Sequence, residues 1–100
     1  MRLSIVLRRA AQSEFDEAAD WYEQQRRGLG RDFVKQVQAV FNRMRRVSKQ
    51  FPIVFENARQ ALVERFPYSV LFVVEPKRIV VLAVFHHRRD PAIWQRRVVR

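Results

Sequence analysis

The order of apolar and polar residues predicts a β-strand followed by a long amphipathic helix. Residues 2–7 alternate roughly between apolar and polar side chains, which is the period of a strand with one buried face. From residue 10 to residue 27 the apolar side chains recur every three or four positions instead. The apolar face of this predicted helix carries Phe15, Ala18, Ala19 and Tyr22. Its other positions hold five of the ten acidic residues, namely Glu14, Asp16, Glu17, Asp20 and Glu23.

A second amphipathic helix is predicted over residues 29–48. Its apolar stripe consists of Phe33, Val37, Val40, Phe41, Met44 and Val47. Gly28 and Gly30, the two glycines of the sequence, interrupt the helical pattern between the two helices. Because this connection is so short, the two helices are expected to form an antiparallel hairpin.

After Pro52 the pattern changes to the two-residue period of strands. Residues 61–66 are predicted as one strand and residues 68–75 as another, followed by a turn over residues 75–78. Residues 79–85 are continuously apolar. Such a run indicates a central strand that is covered on both faces.

The chain is expected to leave the sheet over residues 86–90 and to form a short C-terminal helix within residues 91–97. The resulting order β-α-α-β-β-β, with this short helix at the end, predicts an α+β fold. In that fold a small, mostly antiparallel sheet carries the N-terminal helical hairpin on one face. At 100 residues, the chain is expected to be a single domain over residues 1–100.

The composition favours a cytoplasmic protein without a cofactor or a metal. Apolar residues make up 48% of the chain, which is enough for a hydrophobic core. There is no cysteine, and two histidines are too few for a convincing zinc site. The apolar stretch of residues 3–7 is too short for a signal peptide, and no run reaches the ~20 apolar residues of a membrane span.

The positive charge of the chain predicts an acidic or nucleic-acid partner. Twenty basic residues face ten acidic ones, for a net charge of +10. Most of the basic residues are arginines, whose planar guanidinium pairs well with carboxylate and phosphate, although a compositional bias of the genome would also favour arginine. A surface this basic repels itself and attracts polyanions unless a partner covers it.

Four groups of residues are candidates for chemistry or binding. Arg65 lies in a predicted strand, where it points either to solvent or onto an open sheet face. Residues 86–89 follow the central strand, where they form either a polar edge of the sheet or a site on a rigid base. Trp94 is predicted to anchor the C-terminal segment, next to Arg96 and Arg97. The fourth group ends the second helix, where positive charge also suits the helix dipole: Arg43, Arg45, Arg46 and Lys49.

These residues include the parts of a metal-free RNA-cleaving site. Such a reaction needs a base, an acid, and cations that stabilise the phosphorane. Arg65, Arg88 and Arg89 are the candidate cations, and His86 or His87 is the candidate proton carrier. Because neighbouring residues of a strand point to opposite faces, at most one of the two histidines is expected to face such a site.

Four segments match, in order, the motifs of a known family. They are residues 14–23 (EFDEAADWYE), 28–33 (GLGRDF), 65–70 (RFPYSV) and 84–94 (VFHHRRDPAIW). On these segments the sequence resembles, over nearly its whole length, the RelE/ParE superfamily of toxins from bacterial type II toxin–antitoxin systems. The resemblance implies a RelE/ParE-like fold and a toxin that a cognate acidic antitoxin binds and inactivates in a hetero-oligomer.

The resemblance is closer to the ParE branch, whose members poison DNA gyrase and are not nucleases. The features that favour this branch are the Trp-Tyr-Glu of the first helix, the Phe-Pro-Tyr strand and the His-x-Arg-Arg-x-Pro-x-x-Trp ending. The residues expected at the target- or nucleic-acid-binding surface are Arg65, His87, Arg88, Arg89, Trp94, Arg96 and Arg97.

Two alternatives remain open. RelE-like members cleave mRNA on the ribosome, and for that activity the expected catalytic residues are Arg65, His86 and Arg88. Trp94 falls about where many of those enzymes have a tyrosine, and an indole can stack on a base but cannot act as a general acid. The other alternative is a degenerate member that has lost toxicity and only binds its antitoxin.

Overall fold

In the computed structural model, which describes residues 3–98, a short strand leads directly into a helical hairpin. The strand is β1 (Ser4–Leu7), and the two helices are α1 (Arg9–Gln25) and α2 (Leu29–Val47). A 3-10 turn over Ser48–Gln50 follows α2. None of the helices in the described part of the chain has the length and apolar character needed to cross a membrane.

The turn of the hairpin depends on both glycines. Gly28 has a φ of 88°, in the left-handed region that favours glycine. At Gly30 an added Cβ atom would lie 2.5 Å from the carbonyl oxygen of Ala19, so the two helices can approach this closely only at a glycine. The Glu23 carboxylate accepts hydrogen bonds from the N–H groups of Gly28 and Gly30, at 3.0 and 3.1 Å, and thereby caps α2. The bond from Gly28, followed by smaller contributions from Gly30 and nearby arginines, lowers the pKa of Glu23.

The sheet contains four further strands, β2 (Ile53–Phe55), β3 (Ala58–Leu62), β4 (Tyr68–Val74) and β5 (Arg78–His86). The strands lie in the order β1-β5-β4-β3-β2. β1 runs parallel to β5, whereas the other neighbouring pairs are antiparallel. The predicted α+β class and the mostly antiparallel sheet are therefore confirmed.

Two different parts of the chain cover the two faces of the sheet. The hairpin packs on one face, where the main core includes Phe33, Met44, Phe72 and Ile79. The opposite face, referred to below as the outer face, is covered by α3 (Ala92–Gln95) and Val98. Trp94 of α3 is 6% exposed and belongs to the outer cluster together with Leu82 and Phe85. Residues 79–85 of β5 are buried between these two layers, as their continuous apolar character predicted.

Two predictions about the strands were wrong. The strand predicted over residues 61–66 has other bounds, since the strand of this region spans Ala58–Leu62 and contains only residues 61 and 62 of the predicted range. Arg65 lies in the turn beyond it with a φ of 71°, and therefore not in a strand. Val63 and Phe66 are buried outside the strand, so the apolar pattern continued past its true end. β2 was not predicted, because three residues are too few to show a period.

Candidate functional site

Part of β5 has an edge that no strand covers. β1 pairs with β5 only as far as Leu7 and Val81. The N–H of Arg8 donates to the carbonyl oxygen of Val81 at 3.0 Å, and the chain then enters α1. Within residues 3–98, the edge of β5 from Leu82 to His86 therefore has no neighbouring strand on this side. Its backbone groups need other partners, because unpaired polar groups are costly when water is excluded.

An ion-pair cluster supplies these partners. The Glu14 carboxylate of α1 accepts a hydrogen bond from the N–H of Val84 at 3.1 Å. Arg97 of the C-terminal segment donates to the carbonyl oxygen of Leu82 at 3.0 Å. The Arg97 guanidinium also donates two hydrogen bonds to Glu14, at 3.0 and 2.9 Å, and Arg89 donates another at 2.9 Å. Glu14, Arg89 and Arg97 form a clasp that joins α1, β5 and the C-terminal segment.

Burial makes one half of the clasp stronger than the other. The side chains of Glu14 and Arg97 are 12% and 19% exposed, so water and salt screen their two-point ion pair only weakly. Arg89 is 43% exposed, and its bond to the same carboxylate contributes less. Arg97 was expected at the target-binding surface, but the structure places it in this internal contact.

Glu14 is a residue that sequence reasoning missed. Its acidic side chain was assigned to the polar positions of the first helix. It nevertheless follows Ala11 by three positions and precedes Ala18 by four, and both alanines are buried. That spacing was the available signal that Glu14 faces the protein interior.

A cavity of about 270 Å³ opens on the outer face beside the clasp. Its apolar floor consists of Leu71, Phe85 and Trp94. Its polar wall is a chain of hydrogen bonds in which the Gln60 amide donates to Ser69 Oγ at 2.8 Å, and Ser69 Oγ lies 2.8 Å from His87 Nε2. Ser69 is buried, so these bonds fix its hydroxyl. Neither Gln60 nor Ser69 was predicted, since an isolated polar residue in a strand carries no motif.

His86 and His87 point to different sides of the sheet, as the strand period predicted. The His86 ring packs edge-on against the Tyr68 ring, with 5.1 Å between centroids. His86 Nδ1 accepts a hydrogen bond from the N–H of Arg88 at 3.0 Å, which leaves the proton of the neutral ring on Nε2. Burial, followed by the electrostatic effect of Arg88 and then of the neighbouring His87, lowers the pKa of His86. Both effects favour the neutral form of the His86 ring.

The three residues expected for an RNA-cleaving site are not assembled around one cavity. Arg65 Nη2 lies 4.0 Å from Asp32 Oδ2 at the start of α2, and its guanidinium lies 5.8 Å from the centroid of the Phe66 ring. His86 lines the outer cavity and a groove beside α1, and neither of these is lined by Arg65 or Arg88. Arg65 thus contacts the start of α2, and two positions later Pro67 accepts a hydrogen bond from the N–H of His87 at 2.9 Å.

The remaining predicted binding residues divide into exposed and buried ones. The exposed ones surround the end of β5 and α3: His87, Arg88, Arg89 and Arg96. Trp94 is buried, in agreement with its predicted anchoring position. In the part of the chain that the structure describes, no three His, Cys, Asp or Glu side chains are grouped as metal ligands.

Comparisons with known proteins identify a family. A scan against protein-family models matches residues 5–91 to the ParE toxin of the type II toxin–antitoxin system parDE. A search of the curated proteins gives no match. Among solved structures, a chain from the "Chromosomal ParDE TA system from P. aeruginosa" is similar, with a TM-score of 0.74 and 22% sequence identity. The alignment covers 85% of this chain and 96% of that chain, and at this identity it shows a shared fold.

Proposed function

The chain belongs to the ParE toxin family of type II toxin–antitoxin systems, and we propose that it inhibits bacterial growth by binding and poisoning DNA gyrase. A cognate acidic antitoxin would neutralise it by covering part of a surface that carries a net charge of +10. The toxin would meet gyrase and the antitoxin in the cytoplasm, where gyrase acts. The toxin and the antitoxin would form a hetero-oligomer.

The observation that carries the choice of a protein-binding toxin is the state of the candidate catalytic groups. Cleavage of RNA needs a proton acceptor and cations that converge on one phosphate. The lowered pKa of His86 favours its neutral form, but its Nδ1 already accepts the Arg88 N–H. Arg89, one of the candidate cations, is bound to the Glu14 carboxylate, and Arg65 lies 4.0 Å from the Asp32 carboxylate. These groups support a docking surface better than a catalytic centre.

The activity can be tested with the full chain made by cell-free synthesis. We expect the chain, incubated with gyrase, ATP and supercoiled plasmid, to trap cleaved DNA that appears as linear plasmid after detergent and protease treatment. A parallel reaction with translating ribosomes, read by primer extension, tests for mRNA cleavage. Cleaved mRNA without trapped gyrase would refute the proposal in favour of the RelE-like alternative. A chain inactive in both reactions would refute it in favour of a non-toxic antitoxin ligand.

Two variants test the nuclease alternative in the ribosome reaction. If the chain were a nuclease, Arg65→Ala and His86→Ala should each slow cleavage by about a hundredfold or more, because each removes a group that stabilises the transition state. Circular dichroism of both variants would check that the fold is intact. Equal toxicity of the wild type and both variants would exclude the nuclease mechanism.

A further inference from the structure

Among residues 3–98, the C-terminal segment leaves part of the outer face uncovered. Val54 of β2 is 43% exposed and lines the outer cavity together with Gln60. Leu62 is 61% exposed and follows Gln60 by two positions in β3, so it lies on the same side of the sheet. Exposed apolar side chains beside a cavity with a polar rim are typical of protein interaction sites.

The cavity is large enough for an apolar side chain of a partner. Its volume is about 270 Å³, and an apolar cavity of about 150 Å³ already accepts a benzene ring. The floor is formed by buried apolar side chains, and the hydrogen-bonded chain of Gln60, Ser69 and His87 forms one wall. A leucine or aromatic side chain inserted here would be buried in the way that anchors the centre of protein interfaces.

The rim of the cavity is basic. His87 and Arg89 line its edge and are exposed, the exposed Arg88 lies between them in the chain, and none of the described residues that line the cavity is acidic. The nearby Asp90 carboxylate accepts a hydrogen bond from the N–H of Ala92 and is occupied in holding the start of α3. Half of the acidic residues of the chain lie on α1, on the opposite side of the sheet. Carboxylates of a partner would therefore be attracted to this rim.

The aromatic rings favour a protein partner over a nucleic acid. Nucleic-acid bases bind by stacking on open aromatic faces. Trp94 is only 6% exposed, and the Arg89 guanidinium already lies over the Phe85 ring, 4.5 Å from its centroid. The exposed aliphatic side chains of Val54 and Leu62 also have no partner in a phosphate backbone, whereas they gain from burial against apolar protein surface.

We propose that this uncovered part of the outer face is the surface that docks onto gyrase, and that it receives an apolar side chain flanked by carboxylates. The inference rests on the proposed function, because that function supplies the identity of the partner. Apolar insertion would provide most of the affinity, and the basic rim would accelerate association.

The sequence offers a matched control for each variant that tests this docking face. Val54→Glu places a carboxylate at the mouth of the cavity, on the edge strand β2. Its control, Val6→Glu, makes the same change in β1, the strand at the opposite edge of the sheet, where the Val6 side chain is 41% exposed. Arg88→Gln removes one exposed charge between the rim residues His87 and Arg89, and Arg46→Gln removes one from an exposed position in the last turn of α2. The members of each pair change the net charge equally.

Binding of each full-length variant to purified gyrase, and the trapping of cleaved plasmid, are measured side by side. We expect Val54→Glu to weaken gyrase binding about tenfold or more and Arg88→Gln about threefold, whereas both controls stay within about twofold of the wild type. The Arg88→Gln effect should shrink as salt is added. Thermal unfolding followed by circular dichroism checks each fold, and Arg88→Gln changes only an exposed side chain.

Each of the other outcomes overturns either the proposed function or the docking face. A wild type that neither binds gyrase nor traps DNA overturns the proposed function and this docking site with it. A wild type that traps DNA while Val54→Glu and Arg88→Gln match their controls overturns only the docking face. Binding to a short DNA duplex alone is the third measurement. If Val54→Glu, relative to Val6→Glu, weakens duplex binding but not gyrase binding, the face is a nucleic-acid surface and the proposal is wrong.

Discussion

Removal of the Glu14 carboxylate should be one of the most damaging single changes to this fold. Glu14→Ala breaks two hydrogen bonds to Arg97 and one to Arg89, and it leaves the Val84 N–H without its acceptor. Breaking a fully buried ion pair costs about 3–5 kcal/mol. Because Arg97 remains 19% exposed and water can reach it, we expect about 2–4 kcal/mol here, with little added by the half-exposed Arg89. For a domain of this size, that loss lowers the unfolding midpoint by roughly 10–25 °C.

The assay compares Glu14→Ala with Glu17→Ala, an exposed position one turn later in the same helix. Thermal unfolding is followed by circular dichroism for the whole fold and by tryptophan fluorescence for the C-terminal segment. A Trp21→Phe background removes the exposed tryptophan, so that emission reports the buried Trp94. We expect the Trp94 emission to shift to the red in Glu14→Ala, because release of Arg97 exposes α3. If the two alanine variants unfold within about 3 °C of each other, the reasoning about the clasp is refuted.

Three further predictions concern the hairpin and the turn after β3. Gly30→Ala should destabilise the fold by about 1–3 kcal/mol, because the new Cβ atom would lie 2.5 Å from the backbone oxygen of Ala19; an unchanged urea midpoint would contradict this. Glu23→Gln should lower the melting temperature at neutral pH but not in acid. The folded-state pKa of Glu23 is depressed, so its stabilisation is complete above the ordinary value of 4.5 and is lost as the pH falls through the lower folded value. A melting difference between wild type and variant that persists unchanged at about pH 2 would argue against this. Arg65→Gly should be neutral or stabilise by up to about 1 kcal/mol in urea unfolding, because a φ of 71° suits glycine; a clear loss would mean that the 4.0 Å contact with Asp32 matters more.

The elements that could be predicted from the sequence are those with a long, regular period. α1, α2 and β4 each show several repeats of their apolar pattern, β5 shows an unbroken apolar run, and the structure confirms all four. The end of β3 could not be predicted, because Val63 and Phe66 are buried by packing rather than by strand pairing. The left-handed turn at Arg65 was equally hidden, since arginine rarely adopts a positive φ and gives no turn signal.

Residues of the candidate site were predicted from the sequence, but the ion pairs and hydrogen bonds that join them were not. The end of β5 was recognised because polar residues follow a buried strand, and the opposite directions of His86 and His87 follow from the strand period. The clasp could not be found in this way, because Glu14 and Arg97 lie 83 positions apart and meet only when the sheet is complete. Arg97 therefore looked like one more surface cation.

The parallel pairing of β1 with β5 has a consequence for the synthesis of the chain. The ribosome releases Ser4 long before its partner Arg78, and Glu14 long before Arg97. Contacts this distant along the chain form late and slowly, because a large loop must close before they contribute. A nascent chain can form the helical hairpin early, but it completes the sheet edge and the outer face only when the C-terminal segment has emerged. The proposed docking face for gyrase is thus the last part of the fold to assemble, after both helices of the hairpin have left the ribosome.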